Sequence, residues 1–249
     1  MKRSLILLYG VACYAVFFAT FLYAIGFIGN LWMPKAMDSP RTTSVMAAVL
    51  VDLGLLALFA VQHSVMARPW FKRAWTKFIP ESAERSTYTL LSSLALVLLF
   101  WAWRPIGGVV WDVQDPTARM ALYAAYAFGW ALLLYTTFLL NHFDLFGLRQ
   151  VWLQFRGRPY THLPFRTPSV YRWVRHPLYV AWLFTFWATP TMTVTHLVFA
   201  LMTTAYILIA IQWEERDLVA ALPEYDDYRQ RVPMLVPGRK RTAVRFAPR

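Results

Sequence analysis

The stretch Leu178–Trp213, LYVAWLFTFWATPTMTVTHLVFALMTTAYILIAIQW, decides the fold. Its 36 residues include no Asp, Glu, Lys or Arg. One straight helix of that length would run about 54 Å at 1.5 Å per residue. A bilayer core is only about 30 Å thick. Pro190 sits near the middle, in WATPTMT, and a proline interrupts a helix by removing a donor and crowding the preceding turn. The stretch therefore predicts a helical hairpin whose first arm is shorter than a full span.

Working outward, four more apolar blocks appear. The expected helices cover about Leu5–Ile28, Val45–Met66, Tyr88–Trp103 and Thr117–Leu140. Breaks fall at Asn30, Pro34 and Pro40, and again at Arg104-Pro105 and Gly107-Gly108. The N-terminal run begins with Lys2-Arg3 like a signal peptide. It is too long for an h-region and has no small-residue cleavage site, so it reads as the first membrane helix. Composition agrees. The chain has 249 residues, 58% hydrophobic and 17% aromatic, with only 15% charged, where soluble domains carry about 25%. The expected fold is an all-α polytopic membrane protein with about five to six transmembrane helices, ending in the hairpin.

A formal net charge of +12 would suggest nucleic acid in a soluble protein. Here its distribution points to topology. Two basic residues lie at the N-terminus, five between the second and third helices, six in Asn141–Pro177 and eight after Trp213. The other loops and helix ends hold only Lys35, Arg41, Arg104 and Arg119. Positive residues accumulate on the cytoplasmic side, so both termini are expected there, in a bacterial inner membrane. No nucleic-acid partner is expected, even for the basic tail GRKRTAVRFAPR. Cys13 is the lone cysteine, which excludes an intramolecular disulfide and a cysteine metal site. No His, Asp and Glu cluster has metal-ligand spacing either, so no metal is expected.

Three polar groups converge on the cytoplasmic side. The first is Arg175-His176-Pro177 with Tyr179, the second is Glu214-Glu215 after the hairpin's return, and the third is YDDYRQRVP with Tyr225 and Tyr228. Carboxylates can hold a ribose diol or an amino group, and arginine can hold a carboxylate. Such a set suits a zwitterionic ligand at a membrane face. Taken singly, each group has a plainer reading. Arg175 and His176 can snorkel at a helix end, and Glu214 and Glu215 can be merely solvated.

In order and spacing, RHPLY, an apolar hairpin, EE and then Y-x-x-Y-x-x-x-V-P resemble the C-terminal signature of integral-membrane methyltransferases such as the isoprenylcysteine carboxyl and bacterial phospholipid methyltransferases. Ala181 stands where that superfamily often has glycine, and ALPEY replaces a glycine before the tyrosine pair. A narrower resemblance covers nearly the whole chain. QHSVMARPWFKR, ERSTY, WRPIGGVVW, NHFDLFGLRQVWL, RHPLYVAW, FWATPTMT and EERDL look like the methanethiol S-methyltransferases of the NnrU-like membrane family. The resemblance implies methylation of methanethiol to dimethyl sulfide with S-adenosylmethionine. It also implies a cytoplasmic cofactor pocket built from Arg175, His176, Pro177, Tyr179, Glu214, Glu215, Tyr225 and Tyr228. On that reading, residues 1–140 form a four-helix transmembrane region, 141–177 a cytoplasmic lid or connector, and 178–249 the hairpin and tail that complete the pocket.

The nucleophile in such a reaction is a thiolate. A simple alkanethiol is mostly protonated at neutral pH, so a base is expected. His142 and Asp144 in NHFD are the leading candidates, with aspartate orienting the histidine. The competing reading has Asn141 and Asp144 capping the next short helix. His63, in VQHSVMARP, is a second candidate, since intramembrane ionisable residues default to function. Its plainer role is a hydrogen bond between helices. Asp52 suits helix packing better than substrate contact. Trp182 and Trp187 are the aromatics chosen to line an apolar acceptor pocket. Other readings of the fold are a methyltransferase acting on a prenylcysteine or phospholipid, a nicotinamide-dependent membrane reductase, and a non-catalytic protein or transporter. A transporter would place polar residues at mid-bilayer in both halves, whereas here they gather on one face.

Overall fold

The computed structural model describes residues 2–238. The basic stretch Arg239–Arg249, for which no nucleic-acid partner is expected, lies outside the described residues. Five helices are long and apolar enough to cross a membrane: α1 (Lys2–Gly29), α2 (Val45–Ala67), α4 (Glu81–Ala102), α5 (Pro116–Leu139) and α9 (Val194–Ala221). The protein is an integral, multi-pass, all-α membrane protein. Short helices α3 (Pro69–Trp75), α6 (His142–Leu145), α7 (Leu148–Phe155), α8 (Pro177–Trp187) and α10 (Pro223–Arg231) complete it, with a 3₁₀ turn at Ser169–Arg172.

The hairpin forms as α8 and α9. The first arm has 11 residues, about 16 Å, and ends before Pro190. The chain then runs extended as β2 (Thr191–Thr193), which pairs antiparallel with β1 (Val109–Asp112) in the loop between α4 and α5. An all-α reading did not anticipate this ribbon. It ties the hairpin's turn to the same end of the bundle as the α4–α5 loop. The second arm has 28 residues, about 42 Å, and overruns a 30 Å core by about two turns. Glu214 and Glu215 therefore lie on helix α9 itself, not in a tail after it. The overrun survives because it is clasped: Arg68 Nη1 meets Asp217 Oδ2 at 2.8 Å, while further back on α9 the Ser64 and Tyr206 hydroxyls lie 3.0 Å apart.

Helix α4 begins at Glu81, seven residues before the expected Tyr88. Glu81 and Glu84 occupy its first turn, where carboxylates favour the positive helix end. Its serines and threonines are tolerated because they bond back along the helix. Thr87, Thr89 and Ser93 hydroxyls donate to Ala83, Arg85 and Thr89 carbonyls at 2.9, 3.0 and 2.8 Å. Asp52 is fully buried in α2, and its Oδ1 accepts the Arg104 backbone N–H at 2.9 Å just beyond the end of α4. That places it at the ribbon end, as a helix-packing group.

The opposite end carries the connector. Asn141 adopts a left-handed φ of 82° and caps α6 by accepting the Asp144 N–H at 3.1 Å. Gly147, at φ +88°, turns the chain into α7, and a Cβ there would lie 2.6 Å from the Ser86 nitrogen. Helix α7 then docks on α1, where Val151 is wholly buried. A Cβ on Gly10 would come within 2.5 Å of Val151 Cγ2. This glycine lets the connector lie flat on the bundle. The core itself is aromatic, with Phe27, Phe100, Trp103, Phe186 and Phe199 buried together.

Candidate active site

Arg175 and His176 precede α8, and Pro177 occupies its first turn, where a missing N–H costs nothing. Across from them, Glu215 is buried on the overrun of α9. Its Oε1 accepts from Arg175 Nε at 2.6 Å, from His176 Nε2 at 3.0 Å and from the Tyr225 hydroxyl at 3.3 Å. Arg175 Nη1 also donates to the Arg229 and Val232 carbonyls at 3.1 and 2.5 Å. Backbone bonds from Arg175 and His176 to Pro233 and Met234 continue the seam. This buried knot joins the start of α8, the end of α9 and the end of α10. Burying a charge is costly unless it is paired and hydrogen-bonded, and here both ions are.

Glu214 is the other kind of carboxylate. It is half-buried, and its Oε2 accepts the Tyr179 hydroxyl at 2.9 Å. It lies within electrostatic reach of Tyr88 on α4 and of Tyr171 on the 3₁₀ turn. Tyr228 donates to the Tyr171 carbonyl at 2.5 Å. Burial pushes the Tyr228 hydroxyl up to about 12, so it remains a donor at any ordinary pH. Burial likewise raises Tyr225. Phe165 rests edge-on against both rings, with centroids 6.0 and 5.6 Å away. The Tyr171 hydroxyl is itself buried and has no hydrogen-bond partner among the described residues.

His63 reaches the same neighbourhood. Its Nε2 lies 2.9 Å from the Tyr88 hydroxyl and its Nδ1 lies 3.2 Å from Ser92 Oγ. Through Tyr88 it joins the side of the bundle that holds Glu214, Tyr179 and Tyr206. Tyr88 and Tyr206 were not singled out from sequence. Tyr88 stands in the ERSTY motif, a legible signal, whereas Tyr206 stands in an apolar run that carries none.

His142 sits elsewhere. Its Nδ1 lies 2.8 Å from Thr137 Oγ1 and its Nε2 lies 2.8 Å from the Tyr14 hydroxyl. The Thr137 hydroxyl already donates to the Leu134 carbonyl at 2.7 Å. It can therefore only accept from His142, which puts the imidazole proton on Nδ1 and leaves Nε2 as an acceptor for Tyr14. Burial holds this histidine below the ordinary imidazole range, so it is neutral near pH 7. It borders a small cleft of about 10 Å³ formed with Phe17, Phe21, Leu133 and Phe146, room for about one water-sized molecule. Asp144 does not orient it. Asp144 pairs with Arg149 at 2.9 Å and accepts from Tyr160 at 3.3 Å. Thr137 does the orienting instead. Trp182 packs edge-on against Trp130, and Trp187 donates to Thr204 at 3.0 Å.

Together these observations define a class: a polytopic helical membrane protein with a tyrosine- and carboxylate-rich site at one membrane face, assembled from the C-terminal hairpin and the helices beside it. No protein-family model and no solved structure matches the chain. Curated relatives do. The chain is 56% identical over 238 residues to methanethiol S-methyltransferase of Crocosphaera subtropica, covering 95% of this chain and 93% of the relative. It is 55% identical over 238 residues to the enzyme of that name from Mycobacterium tuberculosis, covering 95% and 98%. Nurim of Mus musculus is 30% identical over 227 residues, covering 86% of each. The chain belongs to the methanethiol S-methyltransferase family.

Proposed function

We propose that this protein transfers a methyl group from S-adenosylmethionine to methanethiol, forming dimethyl sulfide, at the cytoplasmic face of a bacterial inner membrane. The observation that carries the reading is the identity of 56% over nearly the full length of a named methanethiol S-methyltransferase. The accumulation of Lys and Arg at the N-terminus, between α2 and α4, in residues 141–177 and after Trp213 supports a cytoplasmic side for both termini. Pairing of β1 with β2 carries the hairpin's turn to the end opposite Glu214.

The residues fit the methyl donor. Glu214 offers a half-buried carboxylate oriented by Tyr179, suited to an amino group or a ribose diol. The knot of Arg175, His176, Glu215 and Tyr225 holds that carboxylate's helix in place. Pro177 starts α8 at the correct point, and Tyr228 fixes the neighbouring turn. S-adenosylmethionine, when bound, supplies an electrophilic methyl group on a sulfonium. The chain's contribution is orientation, exclusion of water and removal of the thiol proton.

The best-placed base is His63, with Tyr88 beside it, because Tyr88 lies within electrostatic reach of Glu214. His63 would take the proton as the thiol S–H bond breaks, and the thiolate sulfur would bond to the methyl carbon as that carbon's bond to the sulfonium breaks, with S-adenosylhomocysteine leaving as a neutral thioether. A second reading rests on His142. Its proton is held on Nδ1 by Thr137, its Nε2 lone pair accepts from the Tyr14 hydroxyl, and an apolar cleft adjoins it. Asp144 then belongs to the connector, which covers the site from the cytoplasm through Phe165. The test is direct. Purified protein with labelled S-adenosylmethionine is offered methanethiol, hydrogen sulfide, a prenylcysteine and phosphatidylethanolamine. Label in dimethyl sulfide supports the proposal, and label only in the prenylcysteine or the lipid overturns it.

A further inference from the structure

Among the described residues, the Tyr171 hydroxyl is the buried polar atom at this site that the fold leaves unanswered. Tyr171 is 7% exposed, and its O–H is buried without a partner among the described residues. Over nine-tenths of buried polar groups find one, and a buried donor left unmade loses its hydration without replacement. The residue is not loosely placed. Its carbonyl takes the Tyr228 hydroxyl at 2.5 Å, and its turn is closed by backbone bonds from Tyr171 to Pro168 and from Trp173 to Val170. A rigidly held, unpaired donor near a half-buried carboxylate describes half of a ligand site.

The neighbours say which half. Arg175, the cation that sequence reading assigned to a ligand carboxylate, is committed through Nε to Glu215 and through Nη1 to two carbonyls. Glu214 supplies negative charge for an ammonium group. In an α-amino acid, ammonium and carboxylate share one carbon, so their receptors must lie side by side. We propose that Tyr171 donates its O–H to the α-carboxylate of the methyl donor's amino-acid end, while Glu214 receives the neighbouring ammonium group. This rests on the cofactor reading given above and assigns the polarity of its pocket.

Tyr171→Phe removes one oxygen and preserves the ring. Calorimetric titration compares two probes: S-adenosylhomocysteine, which carries the amino-acid end, and methylthioadenosine, which lacks it. The variant is expected to bind S-adenosylhomocysteine about 10-fold more weakly, to bind methylthioadenosine as wild type does, and to melt no lower than wild type, since the removed hydroxyl had no internal partner. Unchanged affinity for both probes overturns the proposal. Equal weakening for both overturns it too, by moving the hydroxyl to the nucleoside end. If wild type binds neither probe, the cofactor reading fails, which is a separate outcome.

Discussion

Arg175 Nε donates to Glu215 Oε1 at 2.6 Å across forty residues of sequence. The adjacent Glu214 faces Tyr179 instead. Two consecutive carboxylates on one helix thus have different work, because successive helical residues point about 100° apart. Glu215→Ala strands a buried arginine and is expected to cost about 3–5 kcal/mol of stability, seen as a lowered melting temperature in detergent. Glu214→Ala should melt as wild type does. Its binding of S-adenosylhomocysteine should fall by about 10-fold or more, as for a lost bond to a charged group. Equal melting temperatures for the two variants would remove the knot from the argument.

The two histidines are separable by turnover. Loss of a general base costs about 10²–10⁴-fold. His63→Ala is expected to lose that much kcat with methanethiol while cofactor affinity holds. His142→Ala is expected to lose far less. The reverse ranking assigns the base to His142. The defect of the true base variant should shrink as pH approaches the thiol's own pKa, since thiolate is then already present.

His142 also makes stability depend on pH. Burial lowers its pKa in the folded protein, so the unfolded chain takes up a proton first as pH falls. Stability from this group is full above the unfolded imidazole value of about 6.5. It declines as pH drops below that toward the folded value. His142→Gln should flatten the melting-temperature profile below pH 6.5. A variant whose profile still falls as steeply as wild type would show that other groups cause the decline.

Gly10 and Val151 can be tested as a pair. A methyl at Gly10 meets Val151 Cγ2 at 2.5 Å, and overpacking costs about 1–3 kcal/mol. Gly10→Ala should lower the melting temperature, and Val151→Ala in the same chain should recover part of the loss. Additive losses in the double variant would mean that the connector does not dock there.

Topology is open to reporter fusions. Fusions at Pro40 and Ala118 should report the periplasm, and those at Lys77 and Gly157 the cytoplasm. A periplasmic signal at Gly157 would reverse the face on which the site stands.

Hydrophobic length was enough to read the membrane helices and the hairpin at Pro190. These are properties of each segment against the bilayer, and they need no partner. The resemblance carried the family in the same way, as local motifs. Other features depended on which segments meet. Glu214 and Glu215 fall inside α9 because Arg68 and Arg175 clasp its last turns through Asp217 and Glu215, and no local signal foretells a helix that outruns the bilayer. The proximity of Asp144 to His142 in sequence suggested a pair. The left-handed turn at Asn141 sends His142 inward to Thr137 and Tyr14 and leaves Asp144 to Arg149. Tyr171, Tyr88 and Tyr206 stand on different elements. What a side chain faces across a bundle is fixed by packing between distant helices, and only the tertiary structure decided it.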